Sequence, residues 1–170
     1  MIHCSVDGSG EVRQDDDGIW SVGVWPAHLS EVARAVDPAV GVVVVEGHGV
    51  VGWGWRTLAT PLSAALPSSA RPWTVRRMSL DLLLTPAQLV EVAPELQAAT
   101  DGGALVWQST RRPPDGFALG SKDGHGRAAA MRGLDIRLVI DVPHDGEVAV
   151  LLSPTEALLR AALERLVAPA

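Results

Sequence analysis

The stretch 40–55, VGVVVVEGHGVVGWGW, decides how this chain is read. The valine run 42–45 reads as a buried strand, because branched apolar side chains pack well on a pleated surface. Gly47-His48-Gly49 reads as a turn. Beyond it the alternation of a second strand sends Val51, Trp53 and Trp55 to one side and Val50, Gly52, Gly54 and Arg56 to the other. Gly52 and Gly54 together leave a flat lane. The plain occupant of that lane is one of the protein's own helices, with the tryptophans in the core behind it. The functional alternative is a flat ligand or a partner side chain. In this reading the turn sets Glu46 and His48 together at the sheet edge.

Outward from this hairpin, strand and helix signals alternate irregularly. Residues 11–14 and 19–25, joined by Asp15-Asp16-Asp17-Gly18, read as a hairpin. Pro26 opens a helix of about ten residues with Leu29, Val32, Ala33 and Val36 at helical spacing, and Asp37-Pro38 stops it. Residues 57–74 are rich in proline, serine and alanine, with at most a short helix around 62–66. Residues 75–84 read as one strand. Thr85-Pro86-Ala87-Gln88 is a capping box that opens a helix with the stripe Leu89, Val92, Ala93 and Leu96. Pro94 is expected to kink or split that helix. Asp101-Gly102-Gly103 ends it, and 104–109 is the next strand, so that strand, helix and strand can form a crossover.

Residues 134–142 alternate, with Leu134, Ile136, Leu138, Ile140 and Val142 on one face, as in a half-buried strand. Pro143-His144-Asp145-Gly146 turns the chain into 148–152. Ser153-Pro154-Thr155-Glu156 reads as a second capping box before a helix with the stripe Leu158, Leu159, Ala162, Leu163 and Leu166. DLLLTPAQ at 81–88 and AVLLSPTE at 149–156 echo each other, which suggests a duplicated β–α unit. The expected fold is a single α+β domain over 1–170. It has a largely antiparallel sheet of about seven or eight strands, with three main helices, including the C-terminal one, on one face.

The size and composition agree with a globular domain. A chain of 170 residues can bury about 70% of its unfolded surface, and its 47% apolar and 20% charged content is ordinary. The aromatic set is not ordinary: six tryptophans, one phenylalanine and no tyrosine. Several indoles are therefore expected as core posts with a partner for the N–H. The single cysteine, Cys4, excludes an internal disulfide framework and a thiolate cluster. The start lacks a signal-peptide pattern, and no apolar run approaches the ~20 residues of a membrane span. A cytoplasmic protein without membrane attachment is expected.

The net charge of −6 is unevenly spread: −6 over residues 1–55, +3 over 56–137 and −3 over 138–170. An acidic N-terminal third argues against a nucleic-acid footprint. The basic middle either pairs internally or forms an anion or partner site.

Three places can carry chemistry. The first is the hairpin with Glu46, His48, Gly52, Trp53 and Gly54. The second is a set of turn histidines, His48, His125 and His144, each within two positions of a carboxylate. A histidine poised by a carboxylate suits acid–base work or metal binding, but no fixed ligand spacing is present, and a histidine in a polar turn is ordinarily just solvated. The third is the connection 110–133, read as a long, basic, glycine-rich loop. It holds Arg111, Arg112, Lys122, Arg127 and Arg132 against two aspartates. Such a loop can cradle an anion or dock an acidic partner, and its plain reading is a solvated loop.

The P-loop order, the alternating calcium-loop order after Asp15 and a Gly-x-Ser-x-Gly elbow are all missing. No cofactor, metal or catalytic residue is assigned, and enzyme activity is not favoured. The expected function is a non-catalytic binding or accessory protein, an immunity-type module with a protein partner. The alternative is a small enzyme or ligand-binding domain that acts on an anionic small molecule with the turn histidines and loop arginines. The oligomeric state is left open.

Overall fold

A computed structural model describes residues 5–6, 11–25, 28–47, 71–76, 79–99, 103–142 and 148–168. The second strand of the opening hairpin, the short helix at 62–66, Pro26 and the turn at 143–146 lie outside the described residues. The strands are β1 (Ser5–Val6), β2 (Arg13–Gln14), β3 (Trp20–Trp25), β4 (Val42–Gly47), β5 (Arg71–Arg76), β6 (Ser79–Leu84), β7 (Ala104–Ser109), β8 (Ile136–Val142) and β9 (Ala149–Ser153). The helices are α1 (Leu29–Val32, continued by a 3-10 turn over Ala33–Ala35), α2 (Pro86–Ala99), α3 (Gly124–Gly133) and α4 (Glu156–Val167).

All strands join one sheet in the order β1-β3-β9-β8-β7-β4-β6-β5, with β2 beside β1 on the outer edge of β3. Every pairing is antiparallel. The α+β expectation holds, with seven strands of five or more residues. β6 and β7 both run antiparallel to β4, one on each side of it, so they are parallel to each other. The chain between them, α2, crosses over β4.

The sheet is packed on both faces. In the first layer α1, α2 and α4 bury Leu29, Val32, Leu89, Val92, Ala93, Leu96, Leu159, Ala162 and Leu166 against Val43, Val45, Leu82, Val106, Ile140 and Leu151. These are the stripes expected from helical spacing, and the three helices share one face as expected. In the second layer Val44, Leu105, Trp107, Ile136 and Val139 meet Leu119, Ala128 and Met131.

The helix that supplies Ala128 and Met131 lies inside the segment read as a loop. Residues 124–133 form α3, whose N-cap Asp123 accepts a hydrogen bond from the Gly126 N–H at 2.8 Å. The glycines at 124, 126 and 133 obscure the helix in sequence, because glycine lowers helix propensity. The cap and the burial of one narrow stripe restore it.

Four other local readings are corrected. The single strand expected over 75–84 is two antiparallel strands, β5 and β6, and β5 extends into the segment read as irregular. Pro94 lies inside α2 and does not split it, since the helix continues to Ala99. The apolar set 134–142 does not share one face. The β7–β8 register shifts between Gln108 and Ser109, a bulge at Arg137 that turns Ile136 into the second layer while Leu138, Ile140 and Val142 stay in the first. Finally, Thr155, not Ser153, caps α4, accepting from the Leu158 N–H at 3.3 Å. Ser153 is the buried last residue of β9 and donates to the Arg137 carbonyl at 2.8 Å. The echo between 81–88 and 149–156 is therefore one of kind, a strand feeding a capped helix on the same face. The caps are out of register.

Candidate functional site

Glu46 is the first candidate. Alternation along β4 sends Val43 and Val45 to the first layer and Val44 and Glu46 to the second. The expectation that it sits at the sheet edge is corrected, because β4 is flanked by β6 and β7 and Glu46 is buried. Its carboxylate accepts three hydrogen bonds. They come from the Trp107 indole Nε1–H at 2.7 Å, the Leu119 N–H at 2.6 Å and the Gly120 N–H at 2.9 Å.

A buried carboxylate is tolerable only when so satisfied, and hydrogen bonds to a charged acceptor are the stronger kind. The site therefore holds the chain 117–120 down on the sheet. Phe117 packs edge-on against Trp107, ring centroids 5.8 Å apart, and Lys122 Nζ stands 5.9 Å from the Phe117 ring centre. Trp107 is thus the core post with a bonded indole that the composition called for. Directly opposite Glu46 on β6 lies a second buried carboxylate, Asp81. Sequence reasoning missed it. The available signal was an acid inside the apolar strand SLDLLL.

His125 projects from the first turn of α3 and is almost wholly exposed, 94% by side chain. Its Nδ1 lies against Asp17 Oδ1 in the β2–β3 turn, and Arg132 at the far end of α3 donates to the Asp17 carbonyl. Arg111 is exposed. Arg112 pairs with Asp115 at 3.4 Å on the surface. Arg127 approaches Asp141 of β8 at 4.0 Å. The acidic N-terminal region and the basic middle therefore meet at Asp17.

Glu46 and His125 share no partner among the described residues. Among the described residues, no group of three His, Cys, Asp or Glu is placed to hold a metal ion. His48, Gly52, Trp53, Gly54 and His144 lie outside the described residues, as does any convergence of the turn histidines.

The structure brings together a surface that no motif announced. Gly23 of β3 is directly opposite Val150 of β9, and Asp141 of β8 is the next residue across. All three face the second-layer side. Trp25, two residues beyond Gly23 on the same face, is 53% exposed, and Val150 is 36% exposed. α3 packs on the middle of this face, and its Arg127 approaches Asp141 at 4.0 Å. The only sequence signal was the alternation of Val22 and Val24 against Gly23 and Trp25.

No helix among the described residues is long and apolar enough to cross a membrane. No known protein family, curated protein or solved structure matches the chain.

Proposed function

We propose that this protein is a non-catalytic binding or accessory module that docks a protein partner through the Trp25–Gly23–Val150 surface. The observation that carries the reading is the pairing of a half-exposed tryptophan with an exposed valine across a glycine on one sheet face. Aromatic side chains are frequent energetic centres of protein contacts. A second support is the use made of the chemistry-bearing groups. Glu46 spends its acceptors on Trp107, Leu119 and Gly120, and His125 spends its Nδ1 on Asp17. The alternative is chemistry on an anionic small molecule by Glu46, His125 and the loop arginines; against it, Glu46 is buried under Leu119 and Gly120 while His125 projects from the surface.

The test is affinity capture of the tagged protein from its native host, beside the Trp25→Ser and Val150→Glu variants. A stoichiometric polypeptide held by the wild type and lost by both variants is the expected result. That polypeptide can be another gene product or an untagged copy of the chain. Recovery of a small anionic ligand with no stoichiometric polypeptide would overturn the reading.

A further inference from the structure

We propose that Asp115–Gly116 is a site of covalent self-modification, at which Asp115 converts to an isoaspartyl residue through a cyclic imide. The proposal is independent of the docking reading above. The reaction needs water and no other partner. The Gly116 backbone nitrogen attacks Asp115 Cγ, with the carboxyl in its acid form. The N–Cγ bond forms, and the carboxyl hydroxyl leaves as water with the amide proton. A second water then opens the ring. Opening at Cγ restores aspartate. Opening at the backbone carbonyl leaves the chain running through Cγ, one methylene longer, with a free α-carboxylate. Nothing is oxidised or reduced.

Three Asp-Gly pairs lie among the described residues, 17–18, 115–116 and 123–124. Ring closure needs a carboxyl that can swing and a following peptide plane that can turn. At 17–18 both are held. The Asp17 side chain is 20% exposed and lies against His125 Nδ1, the Gly18 N–H donates to the Asp15 carbonyl at 3.0 Å, and Arg132 donates to the Asp17 carbonyl. At 123–124 both are held again. Asp123 Oδ1 accepts from the Gly126 N–H at 2.8 Å, the Asp123 carbonyl accepts from the Arg127 N–H at 2.6 Å, and Gly124 is the first residue of α3.

At 115–116 the geometry is different. The Phe117 N–H donates to the Pro114 carbonyl at 3.1 Å and Gly116 has φ +77°, as glycine has at the third position of a type II turn. The Asp115 side chain is 83% exposed, and its 3.4 Å pair with Arg112 is a surface ion pair of the weak kind. Nothing stands within 4 Å of where a Gly116 Cβ would lie, which leaves room for the ring beside it. Glycine also adopts either sign of φ, so the peptide plane between the two residues can turn. The site stands at the entry to the segment that Glu46 holds, two residues before Phe117.

The test stores the full chain, folded, at mildly acidic pH and raised temperature, beside samples held in denaturing urea. Peptide mapping with electron-transfer fragmentation then separates isoaspartyl from aspartyl at each pair. In the folded protein isoaspartate should accumulate at 115 at least about tenfold faster than at 17 or 123, the rate factor for giving up one hydrogen bond to a charged group. In urea the three rates should converge, because the bonds that protect two of the sites are gone. Asp115→Glu, whose ring would be one atom larger, should remove the product from this site with an unchanged circular-dichroism melt.

An absence of isoaspartate at 115 in the folded protein overturns the proposal. So does accumulation at 17 or 123 that keeps pace with it. A urea sample that keeps the native ranking overturns it as well, because the neighbours in sequence, not the fold, would then set the selectivity.

Discussion

Glu46 shows how one residue changes meaning between sequence and structure. After four valines and before Gly-His-Gly it reads as a turn-edge acid, available to a ligand. In the fold it is an internal acceptor for Trp107, Leu119 and Gly120. Glu46→Gln keeps the size, removes the charge and turns an amide N–H₂ toward groups that donate. A loss of about 2–3 kcal/mol in unfolding free energy is expected from urea titration. Faster hydrogen exchange at the Leu119 and Gly120 amides should accompany it. Unchanged exchange there would show that the carboxylate is not what holds the segment.

Gly41 is a second case at this scale. It has φ +55°, and a Cβ built on it would stand 1.9 Å from the Ser109 carbonyl oxygen. Backbone, not a movable side chain, blocks it. Gly41→Ala should cost at least about 2–3 kcal/mol, read by the same titration, against a few tenths for a typical surface change.

At the scale of elements, α3 is the finding that the sequence hid. Its helix is short and glycine-flanked, and it stands on the Asp123 cap and on Ala128 and Met131 in the second layer. Asp123→Ala should cost about 1 kcal/mol, the usual value of a lost N-cap. Met131→Ala should cost about 2–5 kcal/mol, because it empties a fully buried site. Denaturation midpoints of the two variants check the order. If Asp123→Ala is the more damaging, the helix is held by its end and not by its buried stripe.

The longer helices were legible because each carries a punctuation mark and a stripe. Thr85 and Gln88 bond reciprocally, at 2.8 and 3.3 Å, as a capping box should. The cap of α4 was misplaced by two residues for a physical reason. Ser153 has the right chemistry for a cap, but β9 still needs it for the bond to Arg137.

For the whole molecule, one sheet serves two apolar layers. β7 is buried along its full length, and Gln108 on it closes the 37–40 turn. Gln108 donates to the Asp37 and Val40 carbonyls, both at 2.7 Å, and accepts from the Asp37 N–H at 3.0 Å. Because every layer contact passes through these shared strands, the two layers should unfold together. Far-ultraviolet circular dichroism and tryptophan fluorescence should give coincident urea transitions. Separated transitions would mean that the second layer melts on its own.

What the sequence by itself determined is local. It set where most strands and the helices α1, α2 and α4 fall, which residues make the first-layer stripes of those helices, and that a tryptophan would be a bonded core post. Those facts follow from side-chain periodicity and from caps a few residues long. Only the tertiary structure decided that Glu46 faces inward, that Asp81 lies opposite it, that the bulge at Arg137 turns Ile136 to the other layer, and that Trp25 and Val150 are exposed on one sheet face. Each of these depends on which strand lies beside which, at what register and under what cover. Those pairings join residues tens of positions apart, and no window of sequence contains them.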